Sequence, residues 1–388
     1  MHTIEVTLPT QSYDVRIEPG LLEHLGGIVA AVCPHERALL AVDSNIGDSH
    51  GAVARRSLEA ADFAVLVHEI VADERHKTLE TVHRMYQAML ARRLERGSPV
   101  IALGGGLVGD VAGFAAATYL RGVPLVHAPT TLLAMVDASI GGKTGVNFPL
   151  PRPSGGGPQT GKNLVGAFWQ PHAVVVDPLL LRTLDPRHLR CGLAECVKHA
   201  IIADPGLFAF IESNVDQIAA LEPSVVTELI VRGASVKVGI VREDEREAGM
   251  RALLNLGHTF AHVIEPIETL DLHHGEAVAI GLCAAADCAV QTGRLARPDA
   301  DRIRGLLRRA GLPDRLPHPM PAAPLVEAMG FDKKVIAGRA RLVLPTAIGR
   351  ADIAGDVPRP VIAAAWWSVG ALNGPDGSDA AEGPGGRT

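Results

Sequence analysis

Short apolar runs and longer amphipathic stretches alternate through the first half of the chain and then give way to helical periodicity alone. Residues 38–42, 63–70, 99–103, 124–128 and 173–176 are rich in Val, Leu and Ala. Runs of this length without polar alternation predict strands buried on both faces of a sheet. Residues 78–94 lie between two of them and carry a helical period. Strand and helix in alternation predict a parallel α/β sheet. Beyond residue 186 the pattern predicts helices over 193–203, 225–241, 253–265, 276–292 and 299–309. The expected architecture is an α/β Rossmann-like N-terminal domain over 1–185 and a mainly α-helical C-terminal domain over 186–370. Residues 371–388 are expected to form a disordered tail, and residues 149–160, PLPRPSGGGPQT, an exposed loop that is neither helix nor strand.

Composition narrows the function classes. The 388 residues are 47% hydrophobic with a net charge of −6, which excludes a wholly disordered chain. Mild acidity argues against a nucleic-acid partner. No apolar stretch is long enough for a membrane span, and the first residues lack a basic segment followed by an apolar one, so a cytoplasmic protein is expected. Five cysteines, an odd number with no CxxC pair, fit a reducing compartment.

Four segments carry candidate chemistry. Gly104-Gly105-Gly106-Leu107-Val108-Gly109-Asp110 joins an expected strand to an expected helix, where backbone N–H groups can approach a pyrophosphate. Its spacing is not GxGxxG. Residues 136–147 set Asp137, Lys143 and Asn147 around Gly141 and Gly142, a pattern suited to an anionic ligand. In residues 192–199 Glu195 and Lys198 stand one helical turn apart among apolar neighbours, where a carboxylate requires a cation or metal. The fourth segment holds Arg251, Asn255, His258 and His262, at i, i+4, i+7 and i+11, which predicts one face of one helix. HxxxH on a helix suggests two zinc ligands, with the third from Glu195, His274 or Glu276. HExxH is absent, which disfavours a zincin protease.

Together these segments resemble the 3-dehydroquinate synthases, within the sugar phosphate cyclases. GGGLVGDVAGF, PTTLLAMVDASIGGKTGVN, GLAECVKHA, RALLNLGHTFAH and HGEAVAIG occur in the family's order. The resemblance runs on through Phe331-Asp332-Lys333-Lys334 to Gly349 and implies a dehydroquinate synthase-like fold. It implies a metal, Zn²⁺ or Co²⁺, on Glu195, His258 and His274, with His262 facing substrate instead. By the same similarity the substrate shell comprises Asp137, Lys143, Asn163, Lys198, Lys237, Arg251, Asn255, His262 and a lysine of Lys333-Lys334. Arg121 is expected to reach the phosphate from a neighbouring subunit of a homodimer. NAD is expected at Asp43, Asn45, Glu74, Lys77, Gly105, Gly106, Leu107, Asp110, Thr130, Thr131, Lys143, Lys162 and Thr183.

The implied reaction converts 3-deoxy-D-arabino-heptulosonate 7-phosphate to 3-dehydroquinate and phosphate, in the shikimate pathway to chorismate and the aromatic amino acids. A hydride leaves the C5 alcohol for NAD, phosphate is eliminated, the hydride returns, and an aldol step closes the ring. Residues 151–160 interrupt the family's NxPxGKN motif and are expected to loop out, leaving Lys162 and Asn163 in place. The rivals are a cyclase of sedoheptulose 7-phosphate, a metal-dependent polyol dehydrogenase that releases NADH, and a catalytically dead scaffold. Arg251, Asn255 and His262 together favour a substrate with a carboxylate, because a buried guanidinium without one is costly.

Overall fold

A computed structural model describes residues 1–9, 11–150, 159–330, 342–355 and 357–373. Residues 374–388, residues 151–158 and Lys333-Lys334 lie outside the described residues. An antiparallel pair, β1 (His2–Thr7) and β2 (Ser12–Ile17), opens the chain. Then come α1 (Leu25–Val32), β3 (Arg37–Asp43), α2 (Ala52–Ala60), β4 (Ala64–Ile70), α3 (Leu79–Ala91) and β5 (Val100–Gly104). These are followed by α4 (Gly106–Thr118), β6 (Leu125–Pro129), a hairpin of β7 (Lys143–Leu150) and β8 (Gln159–Phe168), and β9 (Ala173–Val176). The remainder comprises α5 (Pro186–Ala203), α6 (Pro205–Ala219), α7 (Pro223–Glu243), α8 (His258–Ile264), α9 (His274–Gln291), α10 (Arg297–Arg309) and α11 (Ala322–Met329). A hairpin of β10 (Leu342–Ala347) and β11 (Arg350–Ala354) and then α12 (Arg359–Ser368) complete it.

The chain divides into two compact units. The first is Met1–Asp185 together with Ala220–Arg246. Its seven-stranded sheet has the order β1-β2-β9-β6-β5-β3-β4, with every pairing parallel except β1 with β2. Numbered from β3, the parallel strands run 2-1-3-4-5, a doubly wound sheet whose order reverses between β3 and β5. β5 and β6 are buried along their whole length, as the unbroken apolar runs require. One face carries a core of Leu39, Ala102, Val108, Val111, Leu125 and their neighbours.

The second unit is Pro186–Ala219 with the described residues from Glu247 onward. The helical half therefore does not stay together: α7 packs on β1, β2 and the Ala134–Ala138 turn of the first unit. Within the second unit α5 and α9 are buried nearly all round, which marks them as its central helices. Proline at the first position of α5 starts that helix seven residues before the periodicity is legible, since its missing N–H costs nothing there.

Two expectations need correcting. Pro149, Leu150, Gln159 and Thr160 are strand residues, because Pro149 pairs with Thr160 and Leu150 with Gln159 across the hairpin. Residues 253–265 are not one helix. A 3-10 turn, Met250–Asn255, ends at Leu256, whose backbone is extended, and α8 begins only after Gly257 at φ 77. Only glycine fits at the break, since a methyl on Gly257 would come within 2.9 Å of the Leu282 amide nitrogen in α9. No described helix is long and apolar enough to cross a membrane.

Replacing Gly257 by Ala should destabilise the protein by about 1–2 kcal/mol from the left-handed backbone alone, with the contact to α9 adding to it. Urea denaturation reads this as a lower midpoint at constant slope; an unchanged midpoint would contradict the packing argument.

Candidate active site

In the first unit the expected cofactor residues gather at the C-terminal ends of the strands on either side of the reversal in strand order. β5 runs into Gly105, which is extended at the N-cap of α4, and no side chain caps that helix. Its first-turn N–H groups are thus presented to an anion, and Gly105, Gly106 and Leu107 supply them. Asp43 ends β3, and its carboxylate accepts from the Asn45 backbone N–H at 2.9 Å and from Asn45 Nδ2 at 3.0 Å. Thr130 follows β6 and donates its N–H to the Gly104 carbonyl at 3.0 Å. Thr131 accepts from the Ala134 N–H at 3.2 Å. An uncapped helix start between an acid on one strand and hydroxyls on the other fits the diphosphate and ribose of a dinucleotide.

A partly buried polar network extends from this place. Lys77, only 4% exposed, donates to Asp110 Oδ2 at 2.6 Å and to Asn163 Oδ1 at 2.5 Å. Asn147 donates to Glu74 Oε2 at 2.6 Å and accepts from the Asn163 N–H at 3.1 Å. Asn163, expected in the substrate shell, therefore stands beside the cofactor residues Lys77, Glu74 and Asp110. It adopts φ 53, a conformation Asn tolerates better than most side chains. Thr183 bonds to the Leu180 carbonyl at 3.1 Å and to His50 Nε2 at 2.8 Å. Burial lowers the His50 pKa, with Asp177 opposing it; because the Thr183 hydroxyl donates to Leu180, the ring nitrogen donates to the Thr183 oxygen.

Elsewhere in the unit Asp137 forms a short ion pair with Lys237 of α7. Lys143 and Lys162 are exposed on the two strands of the hairpin. Arg121 lies at the opposite end of α4 from Gly106, in a turn where it and Leu120 take φ 69 and φ 49. The fold of one chain does not bring it to the glycine turn.

In the second unit Glu195, on α5, has a side chain only 2% exposed. Lys198, one turn later and 1% exposed, pairs with it, so this is no solvated surface bridge. His258 Nε2 lies 3.7 Å and His274 Nε2 3.3 Å from Glu195 Oε1. The ligand atoms of the three residues all lie within 4.8 Å of one another. His258 Nδ1 faces the Leu256 carbonyl at 3.2 Å, and His274 Nδ1 faces Glu265 at 3.4 Å. Such outer contacts fix the tautomer and aim each Nε2 at the centre. Burial, reinforced by Lys198, pushes His258 down to about 3, so its ring is neutral and can act as a ligand. Burial opposes charge on His274 as well, but hydrogen bonds to Glu195 and Glu265 outweigh it and hold that ring up at about 10. A divalent cation on the Nε2 side would satisfy Glu195 and leave the Nδ1–H to Glu265. One carboxylate and two imidazoles suit Zn²⁺ or Co²⁺ and leave positions open to substrate.

Glu276 is not part of this group, being engaged with Arg187 and with the His273 N–H. His262 stands edge-on to His258, with centroids 5.5 Å apart, and is exposed. Arg251 is completely buried in the 3-10 turn, and Asn255 donates to Glu247 at 3.0 Å. Sequence reasoning missed Arg187, His50 and Glu265 as supports and gave Asn147 no role. Asn147 lay in a segment already singled out. Arg187 and Glu265 act on residues remote in sequence, and no local spacing announces them.

Residues 67–191 match the family model for the 3-dehydroquinate synthase N-terminal domain, and residues 192–335 the C-terminal one. A 3-dehydroquinate synthase from Nostoc sp. strain PCC 7120 is 44% identical over 91% of this chain and 96% of its own length. Among solved structures, 2-epi-5-epi-valiolone synthase from Streptomyces hygroscopicus, with NAD⁺ and Zn²⁺ bound, is 32% identical with a TM-score of 0.83. That match covers 94% of this chain and 98% of the other. A 2-deoxy-scyllo-inosose synthase complexed with carbaglucose-6-phosphate, NAD⁺ and Co²⁺ is 25% identical with a TM-score of 0.81, covering 94% and 99%. The glycine turn, the Glu195, His258 and His274 cluster and these similarities agree: the chain belongs to the 3-dehydroquinate synthase family.

Proposed function

We propose that this protein converts 3-deoxy-D-arabino-heptulosonate 7-phosphate to 3-dehydroquinate and phosphate, using NAD catalytically with one Zn²⁺ or Co²⁺. The observation that carries the reading is the convergence of Glu195, His258 and His274, from three separate segments, on one buried point. The other cyclases are less favoured, because the curated relative at 44% identity is a 3-dehydroquinate synthase whereas the valiolone synthase is 32% identical.

When bound, NAD supplies a reversible hydride acceptor and the metal supplies Lewis acidity toward a substrate hydroxyl. The chain's own residues do the rest. Glu195, His258 and His274 hold the metal, while Lys198 keeps the Glu195 carboxylate ionised and oriented. Arg251 offers a planar fork to the substrate carboxylate, which a lysine could not match. Asn255 and His262 complete that end of the substrate. Lys143, Asn163, Lys237 and, from a neighbouring subunit, Arg121 are assigned to the phosphate dianion, Lys162 to the cofactor, and Asp137 fixes Lys237 through their ion pair. The Gly105–Leu107 turn binds the dinucleotide diphosphate through backbone N–H groups, with Asp43, Asn45, Glu74, Lys77, Asp110, Thr130, Thr131 and Thr183 around it. The proposal includes a homodimer, on family resemblance, and a cytoplasmic setting. All five cysteines are buried and in no disulfide, and burial pushes Cys33, Cys283 and Cys288 up to about 12.

Purified protein given the heptulosonate phosphate, Co²⁺ and a trace of NAD should release phosphate with no net accumulation of NADH. Release from sedoheptulose 7-phosphate alone, or NADH growing with turnover, would overturn the assignment. Chelation should abolish phosphate release and added Zn²⁺ or Co²⁺ should restore it; activity that survives exhaustive chelation would contradict the metal role. Replacing residues 151–158 by an Asn-Gly turn should leave kcat/KM unchanged, since Asn147 and Lys77 hold Asn163 in place. A collapse of catalysis with the fold intact would sink that idea.

A further inference from the structure

We propose that Arg187 and Glu276 form a clamp that positions His274 for metal binding; the inference rests on the reading of Glu195, His258 and His274 as the metal ligands. His274 is the first residue of α9, where a helix has backbone N–H groups without intrahelical partners and frays most readily. A ligand in that place needs its turn held from outside. Glu276 Oε2 accepts from the His273 N–H at 2.8 Å, and the Glu276 N–H donates to the His273 carbonyl at 3.0 Å, so the two residues close a box of two hydrogen bonds around His274.

Arg187 then fixes that box to α5. Its Nε donates to Glu276 Oε1 at 2.8 Å and its Nη2 to Glu276 Oε2 at 2.8 Å, a bidentate pair. Nη2 also donates to the Asp271 carbonyl at 2.5 Å, which holds the loop leading into α9. Glu276 is 13% exposed and Arg187 33%, so water screens the pair only partly. The same helix α5 carries Glu195 eight residues on, about 12 Å along the axis.

Between these two points α9 touches α5 backbone to backbone. A methyl on Gly275 would lie 2.3 Å from the Cys191 Cα, so the helices can approach this closely only at glycine. The first turn of α9 is therefore pinned by the clamp on one side of Gly275. On the other side His274 Nε2 reaches Glu195. Releasing Arg187 or Glu276 leaves all three ligands present but lets the turn that carries one of them move. Loss of an outer-shell partner of this kind costs about 10–100-fold in metal affinity.

The test titrates Co²⁺ alone into the metal-free protein and follows visible absorption, with far-UV circular dichroism to check the fold. Arg187→Gln and Glu276→Gln should each weaken Co²⁺ binding about 10–100-fold and change the absorption band. The double variant should be no worse than the more affected single one, because the two residues act as one unit. Glu276→Gln keeps an acceptor for the His273 N–H, so it carries the test if Arg187→Gln fails to fold. Co²⁺ affinity equal to the parent in the folded variants, while His274→Ala loses it, would overturn the clamp and leave the metal site standing. Parent-like Co²⁺ binding by His274→Ala would overturn the metal site itself, and the clamp with it.

Discussion

A carboxylate buried in the middle of a helix dictates much of the second unit. Glu195 is held among apolar neighbours on α5, where an uncompensated charge would be far too costly. Lys198 meets one side of that demand and the imidazoles of His258 and His274 another. Each imidazole in turn needs an orienting partner, found in the Leu256 carbonyl and in Glu265. Satisfying one buried charge thus recruits residues from α5, the 3-10 turn, α8 and the start of α9. The arrangement is a poor device for stability, since a buried ion pair returns little beyond its desolvation cost. It is a good device for placing a cation with open coordination positions.

Close backbone approach is what permits the arrangement. Gly257 and Gly281 let α8 lie against α9, and Gly275 lets α9 lie against α5. Any side chain at these three positions would push apart helices that must deliver ligands to one point. The first unit solves a different problem in its own way. There the order of parallel strands reverses between β3 and β5, and the uncapped start of α4 opens at that reversal. Polar side chains converge around it because the C-terminal ends of the strands all point there.

The five apolar runs of the first half are all strands; four of them are buried as their continuity suggested, whereas β4, at the edge of the sheet, is largely exposed. The glycine turn was legible because strand, glycines and helix follow one another locally. Three things were not. The histidine helix breaks at Gly257, which is left-handed and lies too close to Leu282 for any side chain, and the period of residues 253–265 cannot reveal this. Helix α7 reads as one more amphipathic helix, yet it belongs with the first unit, where its Lys237 meets Asp137 across a hundred residues of sequence. The Arg187 and Glu276 pair joins positions 89 apart, and each alone resembles an ordinary surface charge. The expected metal set came from family resemblance, since HxxxH spacing by itself pointed to His258 and His262 and left the third ligand open among Glu195, His274 and Glu276. In the structure His274 has a second carboxylate, Glu265, behind its ring.

Anomalous diffraction from crystals of the Co²⁺-loaded protein tests the central claim most directly. One strong peak should lie within bonding distance of Glu195, His258 Nε2 and His274 Nε2, with Glu276 still on Arg187. A peak held by His262 or Glu276, or no peak near Glu195, would contradict the account.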